Sequence, residues 1–390
     1  MTGNPTLLDE VRARLARDSG SDVASAMTAA RRDARIVADD AVLARWDSAL
    51  TAELSGAGPL EPLLALDGVT DVLVNGPDSV WIDRGGGLER TAVSFASDAD
   101  VRAMAYRLAA AAGRRLDDAA PFVDAQLPDG TRLHAILPPL AEYPTLSLRV
   151  LARRRMELVD LVQAGTMPVA VADLLRALVR ARLAFLISGG TGTGKTTVLG
   201  ALLGLVPPDQ RIVLIEDAAE VTTRHGHVVR LVARTANVES AGGVGLRELV
   251  RQALRMRPDR IVVGEFRGGE VVELLAALNT GHAGGAATVH ANSSADVPAR
   301  LEALGALGGL DRAALTAQAA AAVDVVLHLQ RSNAGVRTLS EIGCLRRGAD
   351  SLHVLPAWTV TDGVGPGAAL LSRQLLSRGL DAPALLAGAS

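Results

Sequence analysis

Lysine is almost missing from this chain: of 40 Lys and Arg residues, Lys195 is the single lysine and 39 are arginine. Cysteine is as scarce. Cys344 stands alone, which excludes an intrachain disulfide and a thiolate metal cluster and fits a reducing cytoplasm. Aromatic residues make up 2%, so the cores must be built from Leu, Val, Ile and Ala, and few rings are available to stack on nucleic-acid bases. A formal net charge of −3 supplies no general basic field, which argues against a protein devoted to nucleic acid while leaving a local basic channel open. No uninterrupted apolar run reaches the roughly 18–20 residues that span a bilayer. The opening residues are polar and charged, unlike a secretory signal. The expectation is a cytoplasmic protein, soluble or peripheral to a membrane.

What is there is enough for more than one core. A chain of 390 residues, 49% apolar, is long enough for two or three domains. Residues 1–55 read as a charged helical segment with apolar positions at Leu7, Leu8, Val11 and Leu15. Residues 56–150 change to short strands and turns around one helical stretch at about 98–113, the pattern of a small α+β domain. Residues 151–170, with Arg153-Arg154-Arg155 and Pro168, read as a linker. From 171 to 361 strands and helices alternate: strands at 183–188, 211–216, 260–264 and 285–290, and helices at 194–205, 245–256 and 269–280. This is the βαβ rhythm of a parallel sheet covered by helices. An Ala-rich helical stretch at 295–322 and strands at 323–329 and 336–342 follow. Residues 362–390 are set apart as a tail of no assigned role.

The single lysine lies in the most specific motif. Strand 183–188 runs into Gly189, Gly190, Thr191, Gly192, Thr193, Gly194, Lys195, Thr196 and Thr197, which matches G-x-x-x-x-G-K-[ST] between a strand and a helix. Glycines let backbone N–H groups converge on a phosphate, and the helix start adds its positive dipole end. A compact ammonium fits between phosphate oxygens where a planar guanidinium does not, a reason for lysine to persist here. The expectation is a nucleoside triphosphate, namely ATP, with Lys195 on its β- and γ-phosphates and Thr196 on Mg2+.

Hydrolysis requires carboxylates at the ends of neighbouring strands. Glu216, Asp217 and Glu220 follow one strand and Glu265 follows another. One such group can orient water while another holds Mg2+. His282 and His290, eight residues apart in a Gly-rich segment, are expected to sense the γ-phosphate; a zinc site is the weaker option, because no suitable third ligand lies nearby.

Over roughly residues 50–350 the chain resembles the type II/type IV secretion-system ATPases, most closely their tight-adherence (Tad/Flp) pilus-assembly branch. The resemblance is carried by Gly58-Pro-Leu-Glu-Pro-Leu63, Asp71–Pro77, Pro128-Asp-Gly-Thr-Arg132, Ser147-Leu-Arg149, the phosphate loop, Ile215–Glu220, Leu254–Glu265, Thr280–Asn292 and Arg337–Ile342. It implies an α/β fold, with a RecA-like P-loop NTPase domain behind a smaller N-terminal α+β domain. It also implies a homo-hexameric ring on the cytoplasmic face of a membrane machine, working with inner-membrane platform proteins through domain closure. Glu220, then Glu216, would position the attacking water, and Glu265 would help hold Mg2+. His282 and His290 match the family's histidine box, and Arg132 and Arg149 match arginines that reach the phosphates. The segment 221–227 matches only loosely, and the four-cysteine zinc module of some members is absent from the sequence. A conjugation-type transfer ATPase shares every one of these motifs. A RecA-like nucleic-acid-dependent NTPase is disfavoured by charge and aromatic content, and a nucleotide switch without hydrolysis by the carboxylates.

Overall fold

The computed structural model describes residues 56–150, 155–234, 242–332, 334–348 and 351–386. The expected helical segment at 1–55 lies outside them, as do Arg153 and Arg154. The chain divides into two compact units, residues 1–151 and 152–390.

In the first unit the short helix α1 (Glu61–Leu64) precedes three strands, β1 (Asp71–Asn75), β2 (Val80–Asp83) and β3 (Leu88–Arg90). Helix α2 (Asp98–Ala111) and strands β4 (Phe122–Gln126), β5 (Arg132–Ile136) and β6 (Thr145–Arg149) follow. The strands form one antiparallel sheet in the order β3-β2-β1-β6-β5-β4. Its central strands alternate, burying Val72 and Val74, Leu133 and Ala135, Leu146 and Leu148 on one face. Val101, Met104, Ala105, Leu108 and Ala109 of α2, one helical stripe, join the same core. Ser97 starts that helix by accepting a hydrogen bond from Asp100 N at 3.3 Å.

Among the described residues the second unit is built on a nine-stranded sheet. Helices α3 (Leu158–Gln163) and α4 (Val169–Arg180) lead into β7 (Phe185–Gly189), α5 (Lys195–Leu203), β8 (Ile212–Glu216) and β9 (Val228–Val232). Then come α6 (Leu246–Ala253), β10 (Arg260–Phe266), α7 (Val271–Asn279), β11 (Ala286–Val289), α8 (Val297–Leu307) and α9 (Arg312–Ala322). The chain closes with β12 (Val325–Arg331), β13 (Arg337–Arg347), β14 (Leu352–Thr359), β15 (Gly363–Val364) and α10 (Ala368–Ser377). The sheet order is β15-β14-β13-β12-β7-β11-β10-β8-β9, parallel from β12 to β9 and antiparallel from β12 to β15. Strands β7, β8 and β11 are buried at every position, as their largely apolar sequences require of a sheet covered on both faces. Phe185, Ile187, Ile212 and Leu214 face one core, shared with α4, α5 and α10. Leu186, Val213 and Ile215 face the other, under α6 to α9. This is the α/β fold expected of the nucleotide domain.

Two boundaries differ from the sequence reading. The segment read as linker contains α3, whose Leu158 and Leu161 are buried with Met167 in the second unit's core, so apolar contact ties it to that domain. The segment set apart as a tail contributes β15 and α10. Ala368, Leu371 and Leu375 of α10 are fully buried in the same core, and Gln374 Nε2 donates to Asp324 Oδ1 at 3.1 Å at the start of β12.

Candidate active site at the phosphate loop

The loop leaves the C-terminal end of β7, and its conformation explains its glycines. Gly189, Gly192 and Gly194 have φ of 152°, 70° and 94°. A Cβ on Gly189 would lie 2.5 Å from Leu329 O and 2.8 Å from Thr193 Oγ1, so a side chain there is excluded by contact as well. Gly190 differs, since the nearest atom to its missing Cβ is Thr193 Cγ2 at 3.9 Å. Its bareness leaves the backbone open to a ligand rather than relieving the fold. Lys195 opens α5, is buried, and donates from Nζ to Gly189 O at 2.9 Å and Gly190 O at 2.8 Å. Burial holds its pKa below the ordinary lysine value, with Glu265 acting against that fall and Arg267 adding to it. Thr196 and Thr197, half-buried, follow in the first turn of α5.

The neighbouring strands bring acid and base to this loop. Val289 of β11 is level with Ser188 of β7, so His290 stands beside Gly189. In β10 the register with β11 shifts between Val263 and Phe266, across Gly264 and Glu265. Glu265 Oε1 lies 2.5 Å from His290 Nε2, and its Oε2 accepts from Arg267 Nε at 2.7 Å. Burial first, then Lys195, lowers the His290 pKa, while Glu265 opposes the fall. Lys195, Glu265, His290 and Arg267 therefore form one charged cluster at the C-terminal ends of β7, β10 and β11. Arg267 escaped the sequence reading, although two residues along an extended segment returns to the same face as Glu265.

Glu216 occupies a different position in the design. It is 2% exposed, and its Oε1 accepts Glu220 N at 2.9 Å and Val221 N at 2.7 Å. Its Oε2 pairs with Arg230 at 3.1 Å. Burial raises its pKa, with the two backbone bonds and Arg230 opposing. The carboxylate shapes the turn that presents Glu220, which is half-buried, and Asp217, which is exposed. A Cβ on Gly264 would lie 2.9 Å from Glu216 Cγ, which accounts for the Gly-Glu ending of β10.

The two histidines do not come together. His282 precedes β11, and its Nδ1 stands 3.2 Å from Ala277 O at the end of α7. Arg182, just before β7, donates to the adjacent Ala283 O at 3.4 Å, at the sheet's N-terminal edge. His282 and His290 are thus separated by the length of β11, about 13 Å at about 3.3 Å per residue. In the first unit Arg132 and Arg149 do meet: they are register partners in β5 and β6. Arg149 pairs with Asp71 at 3.0 Å and Arg132 with Asp124 at 3.0 Å.

The residues present fit a Mg2+–nucleotide. The loop offers bare backbone, a buried ammonium and a helix start, with Thr196 and Glu265 as oxygen donors near it. Among the described residues no three His, Cys, Asp or Glu side chains group around a metal site. That donor set suits an ion carried largely by phosphate oxygens and water, as Mg2+ is.

Comparison with known proteins points the same way. Residues 53–343 match the family described as type II/IV secretion system protein. A Mycobacterium tuberculosis protein, named provisionally for conjugal transfer, is 59% identical over 336 residues, covering 84% of this chain and 96% of that protein. The conjugal transfer protein TrbB of Rhizobium radiobacter is 33% identical over 281 residues, 70% of this chain and 84% of TrbB. Among solved structures, the pilus retraction motor PilT with bound ADP aligns at a TM-score of 0.50 and 18% identity, over 72% of this chain and 80% of that one. At that identity the likeness concerns the fold.

Proposed function

The chain belongs to the type II/IV secretion ATPase family, and from that premise we propose that it hydrolyses ATP to ADP and phosphate as the motor of a membrane-bound machine. The observation that carries this reading is the convergence of Lys195, Glu265 and His290 on one phosphate loop. Backbone N–H groups of residues 190–195 and the Lys195 ammonium bind the β- and γ-phosphates. Thr196 Oγ1 and Glu265, directly or through water, hold Mg2+, which neutralises charge on those phosphates when bound. Glu220 accepts a proton from the attacking water, and Glu216 holds the turn that aims it. His290, neutral and 2.5 Å from Glu265 Oε1, faces the γ-phosphate side. Arg132 and Arg149 of the first unit supply further positive charge to the phosphates on domain closure.

In this proposal the motor works as a homo-hexamer against inner-membrane platform proteins on the cytoplasmic face. Among the described residues no helix is long and apolar enough to cross a membrane, so such attachment would run through partners. The work proposed is Tad/Flp-type pilus assembly, on the wording of the N-terminal motifs. Conjugation-type transfer is the second reading, favoured by the names of the relatives above.

The deciding experiment is phosphate release by Lys195→Ala and Glu220→Gln. Lys195→Ala is expected to lose both nucleotide binding and turnover. Glu220→Gln is expected to keep binding and lose about 100-fold in rate, the scale of a general base. Undiminished turnover in Lys195→Ala would sink the site, and persistence in Glu220→Gln would move the base to Glu216 or Glu265.

A further inference from the structure

The hairpin of β12 and β13 overhangs the phosphate loop. Leu329 of β12 is level with Gly189, and β12 continues to Arg331, about 7 Å beyond the end of β7 at about 3.3 Å per residue. At that point Arg331 stands directly opposite Arg337 in the β12–β13 ladder. Both side chains reach the loop. Arg337 Nε donates to Gly192 O at 2.9 Å, and its Cδ lies 3.4 Å from where a Gly194 Cβ would be. An Arg331 guanidinium nitrogen lies 3.4 Å from the corresponding point on Gly192. Both of these side chains are exposed, so an anion placed between them can accept a charge-assisted contact from each.

The strand order says which part of a nucleotide that anion is. Glu265 and His290 come from β10 and β11, on one side of β7, and the hairpin comes from β12 and β13, on the other. A nucleotide with its γ-phosphate facing Glu265 and His290 extends its α-phosphate and nucleoside toward the hairpin. We infer that Arg331 and Arg337 clamp the nucleoside-side phosphates of the bound nucleotide from within the ATPase unit itself. This rests on the ATPase reading above. The contact forms equally with ATP and ADP, so it governs binding rather than the chemical step.

The test is equilibrium binding of a fluorescent ADP analogue to the full chain, alongside steady-state ATP turnover. Arg331→Ala and Arg337→Ala should each weaken the analogue about tenfold, the loss expected for one charge-assisted contact. KM for ATP should rise in parallel, with the loss falling on KM rather than kcat. Arg331→Lys and Arg337→Lys should recover part of the affinity, and added salt should weaken the alanine variants less than the parent. Analogue affinity within twofold of the parent in both alanine variants overturns the inference. So does a fall in kcat at unchanged KM, which would make Arg337 a brace for Gly192. Lys195→Ala in the same assay separates the two claims: if it binds as well as the parent, the ATPase reading fails too. If it loses binding while the arginine variants keep it, only the clamp fails.

Discussion

At His290 a half-buried imidazole stands 2.5 Å from Glu265 Oε1, among Lys195, Arg267 and Arg300. Burial and those cations outweigh the carboxylate, and the ring resists protonation below its ordinary value of 6.5. A group whose folded pKa is depressed contributes stability that is present above its unfolded value and lost as pH falls through the folded one. At neutral pH the ring is therefore neutral beside Glu265, and acid adds a positive charge to it among Lys195, Arg267 and Arg300. Turnover is expected to fall on an acid limb with its midpoint below 6.5. His290→Gln, which keeps a donor but cannot titrate, should lower the rate while abolishing that limb. A pH–rate profile identical to the parent's would remove His290 from the site. His282→Gln, at the other edge of the sheet, should leave the limb in place.

At the scale of elements, two glycines make contrasting predictions. Gly264→Ala puts a Cβ 2.9 Å from Glu216 Cγ between β10 and β8. The strain should cost about 1–3 kcal/mol in a denaturant titration, the usual range for overpacking. Gly190→Ala meets nothing closer than 3.9 Å, so it should unfold within about 0.5 kcal/mol of the parent yet lose nucleotide affinity. Equal stability for the two variants would contradict the packing described between β8 and β10. Helix α10 offers a third case. Leu371→Ala, at a fully buried position, should cost about 2–5 kcal/mol, whereas a dispensable tail would cost almost nothing.

The same elements show what was legible beforehand. The strand–loop–helix around Lys195 was readable because its residues are consecutive and their chemistry is local. The parallel strands were readable because burial on both faces leaves largely apolar runs. Strand β14 was not, because Pro356 interrupts it, at the place where its register with β13 shifts. Helix α10 was hidden in a Gly-, Ala- and Leu-rich stretch whose buried stripe becomes visible only against the core it joins. The histidines were read as a pair because they are close in sequence, yet the strand between them sends them to opposite edges. The Arg331–Arg337 pairing depends on hairpin register, which no local pattern in either strand declares.

For the whole molecule, each unit carries a facing arginine pair, and the two pairs are built differently. Arg331 and Arg337 lie against the phosphate loop of their own unit. Arg132 and Arg149 sit on the open face of an antiparallel sheet, steadied by Asp124 and Asp71. Exposed ion pairs of that kind contribute about 0–1 kcal/mol, so the aspartates place these side chains more than they stabilise the sheet. Arg149→Ala should therefore unfold within about 1 kcal/mol of the parent. Under the proposed mechanism it should nonetheless lower the turnover of the full chain several-fold. A conservative Arg149→Lys should keep the charge but lose the planar two-pronged contact, and so recover only part of the rate. Sedimentation of the full chain with nucleotide should give the same assembly for parent and Arg149→Ala, because the loss is assigned to phosphate contact rather than to ring formation. If the variant instead dissociates the assembly, Arg149 belongs to a subunit interface, and the proposed link between domain closure and phosphate charge fails.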